Sequence, residues 1–303
     1  MEAFTLYDLF TETPHWLFLG IGLFGLLIGS FLNVVILRLP RMMESRWQSE
    51  CRELLAQFDA SANAQHDGSD AAEGSGFNIA YPASHCPKCG HELHWWENLP
   101  LLSYTLLRGR CSSCKTRISP QYPLVEAAAA LLALLAASQL GWGWPLLFAL
   151  ILVWALLALT VIDLNTMLLP DQITLPLLWL GLLVNVSGMF ASLQDAVIGA
   201  AAGYMSLWLV YQGFKLLTGK EGMGFGDFKL LAALGAWMGW QALPGIILLS
   251  SLVGAAVGIG LMLLYKKDGS LAIPFGPYLA AAGVIWFFFG QTISAAYLGG
   301  LAP

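Results

Sequence analysis

The chain has 303 residues, of which 57% are hydrophobic and only 11% are charged, and its formal net charge at pH 7 is −5. Several uncharged stretches are about twenty residues long, and a helix of that length crosses the roughly 30 Å hydrocarbon core of a bilayer. The composition excludes an ordinary soluble globular protein, and we expect no nucleic-acid partner. Because the apolar runs are continuous rather than alternating, the sequence favours membrane helices over a β-barrel.

Eight apolar segments are predicted as membrane helices. The long ones are 15–37, 124–141, 144–162, 172–193, 196–214, 245–265 and 274–297. A shorter apolar helix at 228–240 completes a set of about eight. The first of these segments is followed, not preceded, by arginines, which indicates a retained anchor and not a cleaved secretory signal. We therefore predict an all-α polytopic membrane protein that contacts lipid directly.

Basic residues are strongly segregated between the predicted loops. Nine of the 14 Lys and Arg residues lie between the first two spans, and the other five follow the fifth or the seventh span. With eight spans and an external N-terminus, every one of them lies on the cytoplasmic side. The positive-inside rule therefore selects this topology.

A polar segment of about 85 residues separates the first two spans. We expect residues 1–38 to form the first transmembrane helix, 39–123 a small cytoplasmic domain, and 124–303 the membrane domain that carries the acidic site. Within the inserted domain, residues 41–58 have apolar residues at helical spacing. The acidic, Gly- and Ser-rich stretch 59–76 is typical of a flexible loop.

Four cysteines of the inserted domain form two C-x-x-C pairs. Cys86 and Cys89 are followed, after 21 intervening residues, by Cys111 and Cys114. Two such turns are the usual way to present four thiolates to zinc in a tetrahedron. Because four thiolates leave no open coordination position, we predict a structural zinc that supplies folding energy to a small core.

Other assignments of these cysteines are less favourable. Disulfides are the alternative, but the predicted topology places the segment in the reducing cytoplasm. His85, His91 and His94 lie beside the pairs and offer replacement ligands. Cys51 has no partner at a similar spacing, so we expect it to have no role in the metal site.

Two aspartates lie at the edges of apolar helices, where an uncompensated carboxylate is costly and is therefore a functional candidate. Asp163 closes the third span, and its charge opposes the dipole at the end of that helix, so capping does not explain it. Pro170 ends this helical region, and we expect Asp171 to cap the next helix.

Asp227 has two interpretations from the sequence alone. It follows glycines at 222, 224 and 226 and precedes an apolar helix, so it is a good candidate for an N-cap. The predicted topology, however, places it at the same membrane depth as Asp163. Two close carboxylates do not both ionise readily, so one keeps a proton while the other stays charged. The charged group then accepts a proton from water while the protonated one polarises a carbonyl, which is peptide hydrolysis without a covalent intermediate.

Several motifs in this order resemble those of the bacterial type IV prepilin peptidases, which belong to the GxGD aspartic proteases. The resemblance covers nearly the whole chain. Its motifs are the N-terminal 29–40, the four-cysteine insert, 118–126, 162–163, 169–171, the Gly-Phe-Gly-Asp of 224–227 with 228–230, and 273–277. This resemblance implies that Asp163 and Asp227 are the catalytic pair.

The resemblance also implies substrates and a methyl donor. Such enzymes cut the short basic leader from prepilins and related pseudopilins at the cytoplasmic face of the bacterial inner membrane, which is therefore the expected location. They then methylate the new N-terminal residue with S-adenosylmethionine. No motif for this donor is visible in the sequence, so its binding residues are left unassigned. Glu126, near the start of the second span, has a simple interpretation as a favourable charge at a helix N-terminus, and a role in methyl transfer is the alternative.

Three other functions stay open at this point. A GxGD protease without methyltransferase activity is the first, although the zinc-binding insert and the N-terminal motif argue against it. A proton-coupled transporter is the second, but it predicts acids on a pathway that reaches both faces. A scaffold whose zinc domain only docks partners is the third.

Overall fold

The structure is a computed structural model, and it describes residues 14–60, 78–79, 81–86, 88–220, 222–265 and 273–299. Helices account for most of these residues. The α-helices are α1 (Pro14–Ala60), α2 (Leu102–Leu106), α3 (Gln121–Leu140), α4 (Trp144–Thr166), α5 (Asp171–Val184), α6 (Leu193–Thr218), α7 (Phe225–Met238), α8 (Leu243–Tyr265) and α9 (Gly276–Gly299). Short 3₁₀ turns lie at Trp95–Asn98, Asn185–Ser187 and Trp240–Ala242.

The prediction of an all-α membrane fold is confirmed. Six helices within the described ranges are long and apolar enough to cross a membrane: α1, α3, α4, α6, α8 and α9. The two other predicted spans correspond to α5 and α7, which have only 14 residues each. Since 14 helical residues rise about 21 Å, the number of complete crossings stays a prediction.

Helix α1 is longer than the sequence pattern suggested. The predicted span ended at residue 37 and a second helical segment began at residue 41, whereas the structure joins both through Pro40. A proline costs about 3 kcal/mol or more inside a helix. Strong helix formers dominate residues 44–57, and Arg46 pairs with Glu50 one turn later at 3.3 Å, so the helix continues to Ala60. The predicted flexible loop 59–76 lies, from residue 61 onwards, outside the described residues.

The chain divides into two compact units. One unit is Leu26–Ala128, and the other combines Met1–Gly25 with Ala129–Pro303. The four cysteines lie in the first unit and the two candidate catalytic aspartates lie in the second. The domain limits predicted at 38/39 and 123/124 stay predictions.

Helix α7 is the buried centre of the second unit. Phe228, Leu231, Leu234 and Trp237, on successive turns, are all fully buried. Helices α5, α6, α8 and α9 pack against it. A helix that is apolar on every side is stable only when neighbouring helices surround it, which explains why this short segment shows no amphipathic pattern.

Glycines allow α6 to approach α7 at backbone contact. A Cβ atom at Gly203 would lie 2.6 Å from the carbonyl oxygen of Leu231, and Gly199 lies directly against Gly235. The two α6 glycines are four residues apart and therefore share one face of the helix. This is the small-residue packing by which membrane helices associate closely.

A buried asparagine holds the C-terminal end of α7. The Asn185 side-chain amide donates to the carbonyls of Ala236 at 2.8 Å and Trp237 at 3.0 Å. Its oxygen accepts from the backbone N–H groups of Phe190 and Ala191, each at 3.0 Å. The last carbonyls of a helix have no partner within the helix, so this single side chain satisfies two of them and positions the turn before α6.

Candidate active site and metal centre

Asp163 lies in the last turn of α4 and is only 5% exposed. The helix ends at Thr166, and Met167 adopts the left-handed conformation with φ 56° and donates to the Asp163 carbonyl. The predicted position at the end of the third span is therefore confirmed. This position alone is unfavourable for a negative charge.

The start of α9 supplies a hydrogen-bond donor for the Asp163 carboxylate, which the C-terminal end of α4 does not provide. The backbone N–H of Gly276, the first residue of α9, hydrogen-bonds to the Asp163 carboxylate. A Cβ atom at position 276 would lie 2.5 Å from Asp163 Oδ2, so this contact requires glycine. A helix N-terminus favours an anion. Asp163 is thus held between the C-terminal end of one helix and the N-terminal end of another.

Asp227 lies in the first turn of α7 and is 7% exposed. The helix begins at Phe225 with Gly224 as its N-cap, and no side chain caps it. The interpretation of Asp227 as an N-cap is therefore wrong, because the helix starts two residues earlier. Its Oδ1 is buried without a hydrogen-bond partner. A buried acceptor without a partner costs about 1–3 kcal/mol, so this oxygen is available to a water or a substrate.

The two aspartates interact electrostatically. The charge of Asp163 acts on the Asp227 carboxyl. Leu169, in the loop between α4 and α5, lies beside both sites: Cβ atoms at Gly226 and Gly276 would approach its side chain to 2.7 Å and 3.2 Å respectively. Gly226, which precedes Asp227, and Gly276, which hydrogen-bonds to Asp163, therefore both lie beside the Leu169 side chain.

Asp171 has a different role from the predicted one. It is the first residue of α5, Pro170 occupies the N-cap position, and no side chain caps the helix. The Lys229 ammonium on α7 instead contacts both Asp171 oxygens at 2.7 Å. Because the Asp171 side chain is 51% exposed, this pair contributes little stability, about 0–1 kcal/mol. The cap prediction is wrong because proline, which precedes the helix, already takes that position.

The four cysteine sulfurs of the first unit converge as predicted. All four lie within 4.8 Å of one another. Cys86 and Cys114 Sγ are 3.8 Å apart, and Cys89 and Cys111 Sγ are 4.0 Å apart. Four sulfurs bound tetrahedrally at 2.3 Å from zinc are separated by about 3.8 Å. The donor set and its spacing therefore fit a structural zinc ion.

The two C-x-x-C turns have the same backbone conformation. Cys86 N–H donates to the His91 carbonyl and Cys111 N–H to the Thr116 carbonyl, each at 2.9 Å. The residue after each second cysteine is left-handed, with φ +70° at Gly90 and +58° at Lys115. Both C-x-x-C turns, called knuckles below, thus position their sulfurs with the same backbone geometry.

Hydrogen bonds within the knuckles favour thiolates, which are the metal-binding form. The hydroxyl and backbone N–H of Thr116 lower the pKa of the Cys114 thiol to about 6. Backbone N–H groups of Lys88 and Cys89 lower the pKa of the Cys86 thiol. Cys86 and Cys114 are thus favoured as thiolates, whereas burial and the neighbouring thiols raise the pKa of the Cys89 thiol to about 11.

The remaining candidates of the inserted segment have local roles. Cys51 is exposed on α1, and the His85 ring contacts the Ala83 carbonyl at 2.9 Å. Four converging sulfurs leave no position in the tetrahedron for a histidine. His91 and His94 form a separate group with Glu97. The sequence pattern had not indicated Glu97 as a candidate ligand.

Glu126 differs from its predicted setting. Helix α3 begins at Gln121, so Glu126 lies in its second turn, where the helix dipole contributes less. Its Oε2 accepts from the backbone N–H of Leu101 at 2.8 Å, and Ser30 hydrogen-bonds to the same carboxyl group. Leu101 has φ 55°, so the carboxylate secures a left-handed turn. A role in methyl transfer stays a hypothesis.

Two family models match the chain. The bacterial peptidase A24 N-terminal domain matches residues 23–140, and the type IV leader peptidase family matches residues 150–259. The four cysteines fall in the first match, and Asp163 and Asp227 fall in the second.

Curated relatives are similar over almost their full length. A prepilin leader peptidase/N-methyltransferase of Aeromonas hydrophila is 57% identical over 294 residues, which is 96% of this chain and 98% of the relative. Proteins of the same description from Stutzerimonas stutzeri and Pseudomonas aeruginosa are 53% and 52% identical, covering 90% and 97% of this chain and 91% and 97% of their own. No solved structure matches the chain.

Proposed function

Because this chain belongs to the type IV leader peptidase family, we propose that it removes the leader peptide from prepilins and then N-methylates the new N-terminus. The relatives are described by both activities, and they match this chain through its cysteine domain and its membrane helices alike. The observation that carries the protease assignment is the buried pair of Asp163 and Asp227.

The geometry supports a division of labour between the two carboxyls. Asp163 is anchored by the Gly276 N–H, whereas Asp227 Oδ1 has no protein partner. In the proposed reaction one carboxylate takes a proton from water while the water oxygen attacks the scissile carbonyl carbon. The other, protonated carboxyl donates to the carbonyl oxygen, and the amine then leaves with a proton. No covalent bond to the enzyme forms.

Methyl transfer makes a smaller demand on the protein. The donor expected from the family, S-adenosylmethionine, carries an electrophilic sulfonium, so the enzyme mainly holds the neutral amine in line with the methyl group. Once bound, the donor would supply the methyl group, and the amine that accepts it would lose one proton. A zinc ion would be held by Cys86, Cys89, Cys111 and Cys114, where it would supply folding energy and leave no open position for the chemistry.

Both reactions are proposed at the cytoplasmic face of the inner membrane. The segregation of all 14 basic residues supports this orientation. A substrate whose apolar helix lies in the bilayer then presents its basic leader on the same side as both aspartates. Prepilins and related pseudopilins are the proposed partners.

Cleavage of a purified prepilin by reconstituted enzyme tests the aspartate pair. We expect Asp163→Asn and Asp227→Asn to lower the cleavage rate by about 10²–10⁴-fold, the usual contribution of a positioned acid or base. Asp171→Asn is the matched control, because it removes a half-exposed carboxylate nearby, and it should change the rate at most a few-fold. Substantial cleavage by either of the first two variants contradicts the mechanism.

Mass spectrometry of the product separates the proposal from its nearest alternative. A GxGD protease without methyltransferase activity leaves the new N-terminus unmodified when S-adenosylmethionine is present. We expect one added methyl group instead. The aspartate variants should still methylate a pilin that has already been cleaved, because the two reactions use different groups.

A further inference from the structure

Three potential metal ligands cluster on the segment between the two cysteine knuckles. The ligand atoms of His91, His94 and Glu97 all lie within 4.8 Å of one another. They form a group separate from the four cysteines, whose sulfurs already complete a tetrahedron. Two imidazoles and a carboxylate are a donor set that suits zinc and similar divalent ions.

Glu97 carries a charge that the protein satisfies only in part. Its side chain is 1% exposed. One oxygen, Oε2, accepts from the His94 backbone N–H at 2.8 Å and contacts His91 Nε2 at 3.2 Å. The Ser112 side chain also hydrogen-bonds to this carboxyl group. The other oxygen, Oε1, is buried without a hydrogen-bond partner. A buried carboxylate that is only partly compensated is disfavoured, so a cation bound to Glu97 would stabilise it.

The spacing of the donors is close to that of a zinc site. In a tetrahedral site with bonds of about 2.0–2.1 Å, a nitrogen and an oxygen ligand are about 3.3 Å apart. His91 Nε2 and Glu97 Oε2 are 3.2 Å apart, so an ion fits between them without rearrangement. His94 has to move closer; its side chain is exposed, and its ring stacks on Trp96 and lies edge-on to the His91 ring.

We propose that His91, His94 and Glu97 bind a second divalent ion of the zinc class, distinct from the ion of the four cysteines. The ion neutralises the buried carboxylate of Glu97. Three protein ligands leave one position open, in contrast to the closed cysteine site. Ser112 Oγ, 3.2 Å from His91 Nε2, loses this contact when Nε2 binds the ion and lies where it can hydrogen-bond to a water at the open position.

The second ion has a structural consequence for its segment. His91 adjoins the first knuckle, whereas Glu97 belongs to the 3₁₀ turn Trp95–Asn98. An ion that bridges them fixes this turn to the knuckle. The alternative is a hydrogen-bonded network of the same three side chains without metal, and the two arrangements differ in metal content.

Metal stoichiometry of the purified full-length protein tests the proposal. After dialysis against a buffer that holds free Zn²⁺ at a low fixed concentration, we expect two zinc ions per chain by elemental analysis. His94→Ala should lower this number to one, and because His94 is exposed its loss should not disturb the fold. His85→Ala is the matched control: it removes a histidine beside the same knuckle that lies outside the cluster, and it should keep two.

Cobalt substitution identifies the site that is lost. The cysteine site gives intense thiolate-to-metal charge-transfer bands, whereas a nitrogen and oxygen site gives only weak ligand-field bands. We expect His94→Ala and Glu97→Gln to retain the intense bands while binding one equivalent less. One zinc ion in the wild-type protein, or two in His94→Ala, overturns the proposal in favour of the hydrogen-bonded network.

Discussion

Asp163 and Asp227 have opposite relations to their own helices, and this difference defines the candidate site. Asp227 lies at an N-terminus, where a carboxylate is favoured, yet one of its oxygens has no partner. Asp163 lies at the C-terminal end of α4, where a carboxylate is disfavoured, and it accepts a hydrogen bond from the first N–H of α9. The sequence showed that capping by its own helix does not explain Asp163. It did not reveal Gly276 as the partner, because that contact depends on how α4 and α9 pack.

Replacement of Gly276 is expected to disturb this arrangement. In Gly276→Ala the added methyl group lies 2.5 Å from Asp163 Oδ2, so the carboxylate or the start of α9 has to shift. Misplacement of a catalytic group by about 1 Å can cost about 10²-fold in rate. We expect a loss of roughly 10–100-fold in prepilin cleavage, measured with saturating substrate.

Gly260→Ala is the control for this substitution. It also lies in a membrane helix, but no atom is within 4 Å of its Cβ position, so its cleavage rate should equal that of the wild type. Methylation of a precleaved pilin should persist in Gly276→Ala. Cleavage at the wild-type rate by Gly276→Ala would show that the contact has no role in positioning Asp163.

At the scale of helices, the contact between α6 and α7 determines where Asp227 lies. The glycines of α6 bring the two backbones together, and Asn185 holds the far end of α7. Glycines four apart can be recognised in the sequence, but the identity of the opposing helix cannot. Here the partner is the short helix α7, whose uniform apolarity gives no orientation of its own.

Substitution of Gly199 tests this packing. A methyl group at position 199 meets the backbone of Gly235, and backbone cannot move aside as a side chain can. Overpacking typically costs about 1–3 kcal/mol, so we expect Gly199→Ala to lower the apparent melting temperature in detergent. Gly213→Ala, on the same helix with nothing within 4 Å, should leave it unchanged. Equal melting temperatures for the two variants are incompatible with close packing at Gly199.

The fold of the inserted domain, which carries the four cysteines, is predicted to depend on its zinc ion. Chelation removes the zinc, and Cys86→Ser removes one of its four ligands. Structural zinc supplies on the order of 10 kcal/mol in small zinc domains. We expect residues 78–120 to become sensitive to limited proteolysis, and methylation to fall at least as much as cleavage. Cys51→Ser, which removes the exposed thiol of α1, should resist proteolysis like the wild type. A metal-free protein that stays resistant and active argues against a structural zinc.

On the scale of the whole molecule, the distribution of charge determines the proposed orientation. All 14 basic residues lie in segments that an eight-span topology places on one side. The same topology places the C-terminal end of α4 and the N-terminal end of α7 at that side, together with both aspartates. Orientation is thus linked to the proposed function, in which a basic leader reaches the carboxyls from the cytoplasm.

Labelling with a membrane-impermeant thiol reagent tests the orientation. Cys51 is exposed on α1 beyond the predicted first span, so it should react only after the cells are permeabilised. Ser138 is exposed near the other end of α3, and in a Cys51→Ser background the variant Ser138→Cys should react in intact cells. The reverse pattern would place the aspartates on the outer face and remove the proposed route of the leader.

The sequence by itself determined the helical membrane class, the positions of the apolar segments, the four-cysteine site and the unusual place of Asp163. These features follow from local composition, spacing and chain order, which need no knowledge of packing. Only the tertiary structure showed that Gly276 supports Asp163, that Asp227 is not a cap, that Asp171 pairs with Lys229, and that Glu97 is buried beside two histidines. Each of these depends on contacts between segments that lie far apart in the chain or on the residue at which a helix begins, and such contacts arise from three-dimensional packing.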